Sequence, residues 1–292
     1  MPWNPGAARI FALLPAVMPP AMLAVMLVMM PAMVLAAPPC CGDDSWVSPT
    51  DERLRISLGA MYLKSTTSIR LDSSGNAPGT PIDGEGRLGL DRADFEPKFQ
   101  ATVRVAVRHR LSFDYFTLDR SGNTTLAGTP IVFKDVTFIP GDQLQTKLSL
   151  RSLGITYGYS FWHSDTLEIA GTFGVHASDV SAMARVQSPT RNVFQSEDEA
   201  GPVPTLGLDA TWVVSRRFYL DGRVQYLDLH VGNLDGSLGI YEFDALYRYR
   251  PNVSVGIGYT DFKVHLESTR NTHGGLFDLS AQGPQMFFRI AF

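Results

Sequence analysis

The sequence predicts an all-β chain: a transmembrane, antiparallel, up-and-down β-barrel of ten strands. Three observations point there. From Leu54 onward apolar and polar residues alternate with a period of two, the mark of strands with two unlike faces. Short and long connections alternate between those strands. Charged residues make up only 18% of 292 residues, against about 25% in an ordinary soluble domain, so part of the surface is not built for water.

The strands follow in order. The clearest runs from Phe95 to Val107, where Phe95, Phe99, Val103 and Val105 share one face and Glu96, Lys98, Gln100 and Arg104 the other. Further strands are expected near 52–65, 110–120, 144–161, 166–178, 203–215, 218–230, 238–249 and 253–264. The last alternates Met286, Phe288, Ile290 and Phe292 with Phe287 and Arg289. Short links fall around His109, at Trp162–Asp165, Ser215–Arg217 and Arg250–Asn252. Long links fall at Ser65–Asp94, Ser121–Asp142 and Ser178–Pro202. Short turns at one end and longer loops at the other are the rhythm of a transmembrane barrel. Closure is required because hydrocarbon leaves no partner for an open sheet edge. Eight strands result if two weak ones are loop extensions, and twelve if 121–142 adds a hairpin. Tyr157, Tyr159, Phe161, Trp212, Tyr241, Phe243, Tyr247 and Tyr249 fall where aromatic girdles belong.

Residues 1–36 read as a cleaved signal peptide, with Val34-Leu35-Ala36 before the cut. A membrane anchor is the rival, but Pro15, Pro19, Pro20 and Pro31 interrupt the segment. A start at Met18 or Met22 would leave a signal of ordinary length. Residues 37–51 form a leader and 52–292 the barrel. Removing Arg9 with the signal makes the net charge of −4 one unit more negative. No basic stripe appears, so nucleic acid is not an expected partner. The adjacent Cys40 and Cys41 lack a lipobox before them and cannot alone make a zinc site.

With one face assigned to lipid, the other lines the lumen. It carries eight bases, including Arg108, and seven acids, a balance suited to internal ion pairing. A turn centred on His109 sets Arg104 opposite Asp114. A turn about Arg216 sets Asp209 opposite Arg223, and a loop centred near Asn233–Leu234 brings Asp244 beside Arg223 from the other side. Cross-strand partners lie about 5 Å apart at Cβ, within reach of charge-assisted hydrogen bonds. Arg104, Asp114, Asp209, Arg223 and Asp244 are therefore the expected lumen network. Its expected role is structural, because an unpaired buried charge is costly.

Sites for chemistry are weakly signalled. Asp228, His230, Asp261 and His265 do not converge by parity, and Asn271-Thr272-His273-Gly274 has no serine beside it. Asp83-Gly84-Glu85-Gly86, with Asp91 and Asp94, lacks calcium-loop order. Ser196-Glu197-Asp198-Glu199 is an acidic loop tip. No catalytic set, metal or cofactor is expected.

The terminal run Met286-Phe287-Phe288-Arg289-Ile290-Ala291-Phe292 resembles the C-terminal signal of Gram-negative outer-membrane barrels. That resemblance implies residence in the outer membrane amid lipid and lipopolysaccharide, and recognition by the barrel-assembly machinery through Phe288, Ile290 and Phe292. Gly79–Arg120 (GTPIDGEGRLGLD…VRHRLSFDYFTLDR) resembles small, functionally uncharacterised proteobacterial barrels. Two roles remain open: a structural barrel or narrow pore, and a surface-binding or enzymatic barrel (lipopolysaccharide-modifying or protease-like) acting through its extracellular loops.

Overall fold

The computed structural model describes residues 46–72, 81–133, 136–188, 191–231, 234–268 and 274–292. The expected signal peptide, Cys40, Cys41 and the Asn271–His273 segment lie outside the described residues. The strands are β1 (Leu54–Leu71), β2 (Ile82–Asp83), β3 (Ala93–Ala106), β4 (His109–Thr125), β5 (Ile131–Phe133), β6 (Val136–Phe138) and β7 (Gln143–His163). They continue with β8 (Leu167–Ser188), β9 (Arg191–Val213), β10 (Phe218–Val231), β11 (Leu234–Arg250), β12 (Val253–Ser268) and β13 (Gly275–Ala291). Ten of them form the wall, each antiparallel to its neighbours, and β13 pairs with β1 from Arg55↔Ala291 to Leu71↔Gly275 to close it. The 121–142 segment does add a hairpin, β5–β6, but as a separate two-stranded sheet rather than a part of the wall.

The expected loop at Ser178–Pro202 is instead strand. β8 and β9 stay paired to Ser188↔Arg191 and are 22 and 23 residues long. About 9–11 residues suffice to cross the hydrocarbon, so the wall rises well beyond it. The outward faces show where the crossing ends. On β7, Leu153, Ile155, Tyr157, Tyr159 and Phe161 are exposed, whereas above them the exposed positions are Gln143, Gln145, Lys147 and Arg151. The inward face inverts at the same level. It runs Leu144, Thr146, Leu148, Leu150 above and Ser152, Gly154, Thr156, Gly158, Ser160 below. β12 repeats the switch, from Ser254 and Thr260 to Phe262 inside, and from Ile257 and Tyr259 to Lys263 outside. The lower storey therefore turns its apolar side outward and its polar side in, and the upper storey does the reverse.

Exposed aromatics mark both edges of the apolar belt. Tyr62, Phe95, Tyr226, Tyr241 and Tyr259 lie toward the upper storey, and Phe161, Trp162, Trp212, Phe218, Tyr247 and Tyr249 near the short turns. So many outward aromatics would be a liability in water. The upper lumen is filled by two apolar clusters. One joins Met61, Leu63, Leu118, Leu150, Leu238, Phe262 and Leu279. The other joins Ile82 of β2 and Ile131 and Phe138 of the β5–β6 hairpin to Leu144 and Leu148 of the wall. The described parts of the first two long connections thus turn inward as a cap.

The opposite mouth is crossed by residues 46–53. The Trp46 indole donates to the Arg216 carbonyl at 3.1 Å, and the Ser48 hydroxyl to the Asp165 carbonyl at 2.6 Å. These acceptors sit on two turns across the barrel from the start of β1. The strand ends lock beside them, where Arg53 and Leu54 N–H both donate to the Phe292 carbonyl.

Candidate functional site

The lower storey holds most of the inward-facing charged residues, brought together from strands all around a narrow lumen. Glu168, on β8, is its hub. It accepts two hydrogen bonds from Arg104 at 2.8 Å, one from Arg110 at 3.0 Å and one from the Ser160 hydroxyl. Arg223 of β10 meets Asp209 of β9 at 3.2 Å and Asp114 of β4 at 4.0 Å, and Arg110 reaches Asp209 at 3.5 Å. Lys98 bridges Glu242 and Gln285, each at 2.8 Å. Arg289 binds Asp221 and the Ser57 hydroxyl. At the lower mouth Arg248 holds Glu52 at 2.7 Å and the Val47 carbonyl at 2.7 Å, with its guanidinium over the Trp46 and Tyr219 rings. Burial pushes the Glu52 carboxyl above its ordinary range, against the pull of the neighbouring arginines.

Two expected pairings are corrected. Arg104 does not face Asp114: the turn occupies Val107–Arg108, so Arg104 lies opposite Arg110 and Asp114 opposite Gln100. Arg104 turns to Glu168 instead. Asp244 does not lie beside Arg223, because the β10–β11 register sets Asp244 opposite Asp221 and Glu242 opposite Arg223. Asp209 does lie opposite Arg223. Arg108, expected in the lumen, is exposed in the short turn. Small residues make room for these side chains: a Cβ at Gly154 would come 2.4 Å from Asp114 Oδ2, and one at Gly158 3.1 Å from Arg110 Cγ.

Two cavities interrupt the network. The lower is lined by charged side chains including Arg55, Asp209, Asp221, Asp244 and Arg289. The upper lies where the storeys meet, with Met61, Phe116 and Phe262 facing Lys98, His176 and Arg223. His176, unremarked in the sequence, is buried with its Nδ1 3.6 Å from Asp114 and its Nε2 3.2 Å from Gln225 Oε1. Its only signal was parity with Glu168, Thr172 and Gly174 on β8.

Elsewhere, His230 pairs with Asp235 and His265 with Asp278 as cross-strand neighbours on the outer face. Asp261 holds Lys263 at 2.8 Å, and Asp228 is exposed. In the first long connection Asp83 accepts from the Glu85 and Gly86 N–H groups, and the Gly86 bond keeps its carboxyl below the ordinary value. Glu85 is held by Arg120 and the Thr67 N–H. These carboxylates have protein partners, and among the described residues no three acidic, His or Cys side chains converge as metal ligands. Phe288 and Phe292 project outward from β13, with Ile290 half-buried between them.

The geometry makes Arg223 a tie across β4, β9 and β10. Arg223→Ala is expected to lower stability by about 3–5 kcal/mol, the scale for breaking a buried pair. Chemical denaturation of Arg223→Ala, Asp209→Ala and the double variant should reveal a coupling term; strict additivity would refute the pairing.

No protein-family model matches the sequence, and no curated protein matches it. Solved structures do. The outer-membrane protease OmpT of Escherichia coli is 12% identical with a TM-score of 0.54, over 86% of this chain and 100% of that one. The Pseudomonas putida toluene transporter TodX is 7% identical with a TM-score of 0.34, over 85% of this chain and 93% of that one. Neisserial surface protein A is 14% identical with a TM-score of 0.31, over 82% and 97%. At such identities the likeness to OmpT speaks for the fold alone: a closed ten-stranded barrel of the kind found in Gram-negative outer membranes.

Proposed function

We propose that this chain is an exported, integral outer-membrane barrel, closed to ion flow, whose lumen charges hold the wall together. The observation that carries this reading is the apolar cap. Side chains from β1, β2, β4, β5, β6, β7 and β12 fill the upper lumen, and a dry apolar barrier of that depth excludes hydrated ions. The segment at 46–53 supports it by crossing the other mouth. In this reading residues 1–36 direct export and the short turns face the periplasm. The aromatic belt meets lipid and lipopolysaccharide, and Phe288, Ile290 and Phe292 present the assembly signal. In planar bilayers the purified barrel should give no single-channel steps; repeated steps of uniform size would replace the closed reading with a pore. A surface-binding role draws support from β8 and β9, which stand far above the belt as one paired ribbon. No enzymatic version has a comparable support, because the outer His–Asp pairs are exposed side by side rather than gathered in a cleft.

A further inference from the structure

Above the belt the wall parts between β9 and β10. The two strands pair only from Val213↔Tyr219 to Leu206↔Tyr226, yet β9 stays paired to β8 as far as Arg191 and β10 to β11 as far as Val231. The sequence Pro202-Val203-Pro204 supplies the cause. In an antiparallel ladder successive residues direct their N–H and C=O groups to opposite sides. The Val213 N–H donates to the Thr166 carbonyl next to β8, and the Val214 N–H to the Phe218 carbonyl of β10. Neither register shifts along β9, so its even-numbered residues face the β10 side. Both prolines are even-numbered, and each lacks the N–H that the β10 ladder would need. Beyond them Asn192, Phe194, Ser196, Asp198 and Ala200 direct main-chain groups to a side where no strand pairs with β9 among the described residues. The sheet behind this edge is continuous, because β4, β7, β8 and β9 remain paired above the belt.

Proteins that guard an edge against pairing keep it short, whereas residues 191–200 leave roughly 30 Å of it, at about 3.3 Å per residue. The charge of the run selects the partner. It contains Glu197, Asp198 and Glu199 against the single cation Arg191, and Asp228 is exposed on β10 across the gap. A second copy of this chain would set two such acidic runs side by side, and like charges on adjacent strands repel. We propose that the β9 edge is a docking site for an extended, basic peptide segment of another protein, which adds a strand to the β4–β7–β8–β9 sheet. Main-chain hydrogen bonds to the even-numbered residues supply the affinity, and the acids supply the preference for a basic sequence. The site rests on the surface-binding role of the ribbon and not on closure of the lumen, so bilayer recordings and the following test fail separately.

The test follows amide exchange by NMR in the full chain, folded in zwitterionic micelles and titrated with a short peptide of alternating Lys and Thr. Without peptide, the Ser196 and Asp198 amides should exchange fast. Gln195 and Glu197, opposite Ala184 and Ala182 of β8, should stay protected. With peptide, the Ser196 and Asp198 amides should become protected as binding saturates. A peptide of alternating Glu and Thr should bind at least 10-fold more weakly. Ser196→Pro removes one edge N–H and, like Pro202 and Pro204, leaves the β8 ladder intact. It should fold and bind the Lys peptide about 10-fold more weakly, the scale of one lost hydrogen bond. Absence of binding would overturn the proposal, and so would binding that leaves Ser196 and Asp198 unprotected, which is charge attraction without an added strand. Equal affinity for the two peptides, or an affinity unchanged by Ser196→Pro, would overturn it as well. Protection that rises with protein concentration in the absence of peptide would assign the edge to a second copy and also overturn it.

Discussion

Glu168→Ala should unfold in denaturant or heat far more easily than any variant that removes an exterior charge. Its carboxylate is 0% exposed and takes four hydrogen bonds, three of them from Arg104 and Arg110. Removing it leaves Arg110 with the longer contact to Asp209 and Arg104 with the Val107 carbonyl. Breaking a buried pair typically costs about 3–5 kcal/mol, and here two guanidiniums lose their acceptor together. Glu168→Gln keeps the shape and should recover part of the loss. Asp235→Ala, which removes an exposed partner of His230, should cost under about 1 kcal/mol. Equilibrium urea unfolding of the three variants would check the order. A Glu168→Ala effect as small as that of Asp235→Ala would mean that water already serves these arginines.

Leu150→Asp should have a comparable effect on the other storey. Leu150 is 1% exposed among Met61, Leu63, Leu118 and Phe262. Truncation of such a leucine alone costs about 2–5 kcal/mol, and a carboxylate adds the penalty of a charge with no partner nearby. The damage should stay local: hydrogen exchange should rise along upper β1, β7, β12 and β13 while the belt residues remain protected. The cap would also admit water, so a bilayer that is silent with the native barrel should show steps with this variant. Unchanged exchange and continued silence would mean that the upper storey is not a dry core.

The wall was legible in the sequence because its lower storey has the alternation that lipid demands. Phe95–Val105 and Met286–Phe292 declare their faces without help. The upper storey was harder because its alternation has the same period and the opposite phase. In β7 the buried apolar positions are even-numbered at Leu144, Leu148 and Leu150, and the exposed apolar ones odd-numbered from Leu153. A rule that turns every apolar residue toward lipid cannot survive that switch. Along β8 the small Ser178, Ala182 and Ala184 weaken the signal further, and the segment reads as loop. The lumen was half legible. Inward parity found the charged residues, but pairing depends on turn length, and register errors of four residues at Arg104 and two at Asp244 gave them other partners. The hub at Glu168 gathers side chains from β3, β4 and β7, a convergence set by closure of the ring and invisible along the chain.

The exchange of faces between the storeys also gives the molecule two different thermometers. Apolar groups that leave water on folding contribute to the unfolding heat capacity at about 0.45 cal/K/mol per Å². The cap at Leu63, Leu118, Leu148 and Phe138 does leave water, whereas the belt at Phe173, Phe243 and Phe288 stays against hydrocarbon and contributes little. The curvature of stability with temperature thus belongs to the storey above the bilayer. On cooling, that storey loses driving force while the belt does not, so an organism adapting this barrel to cold would be selected first on its cap.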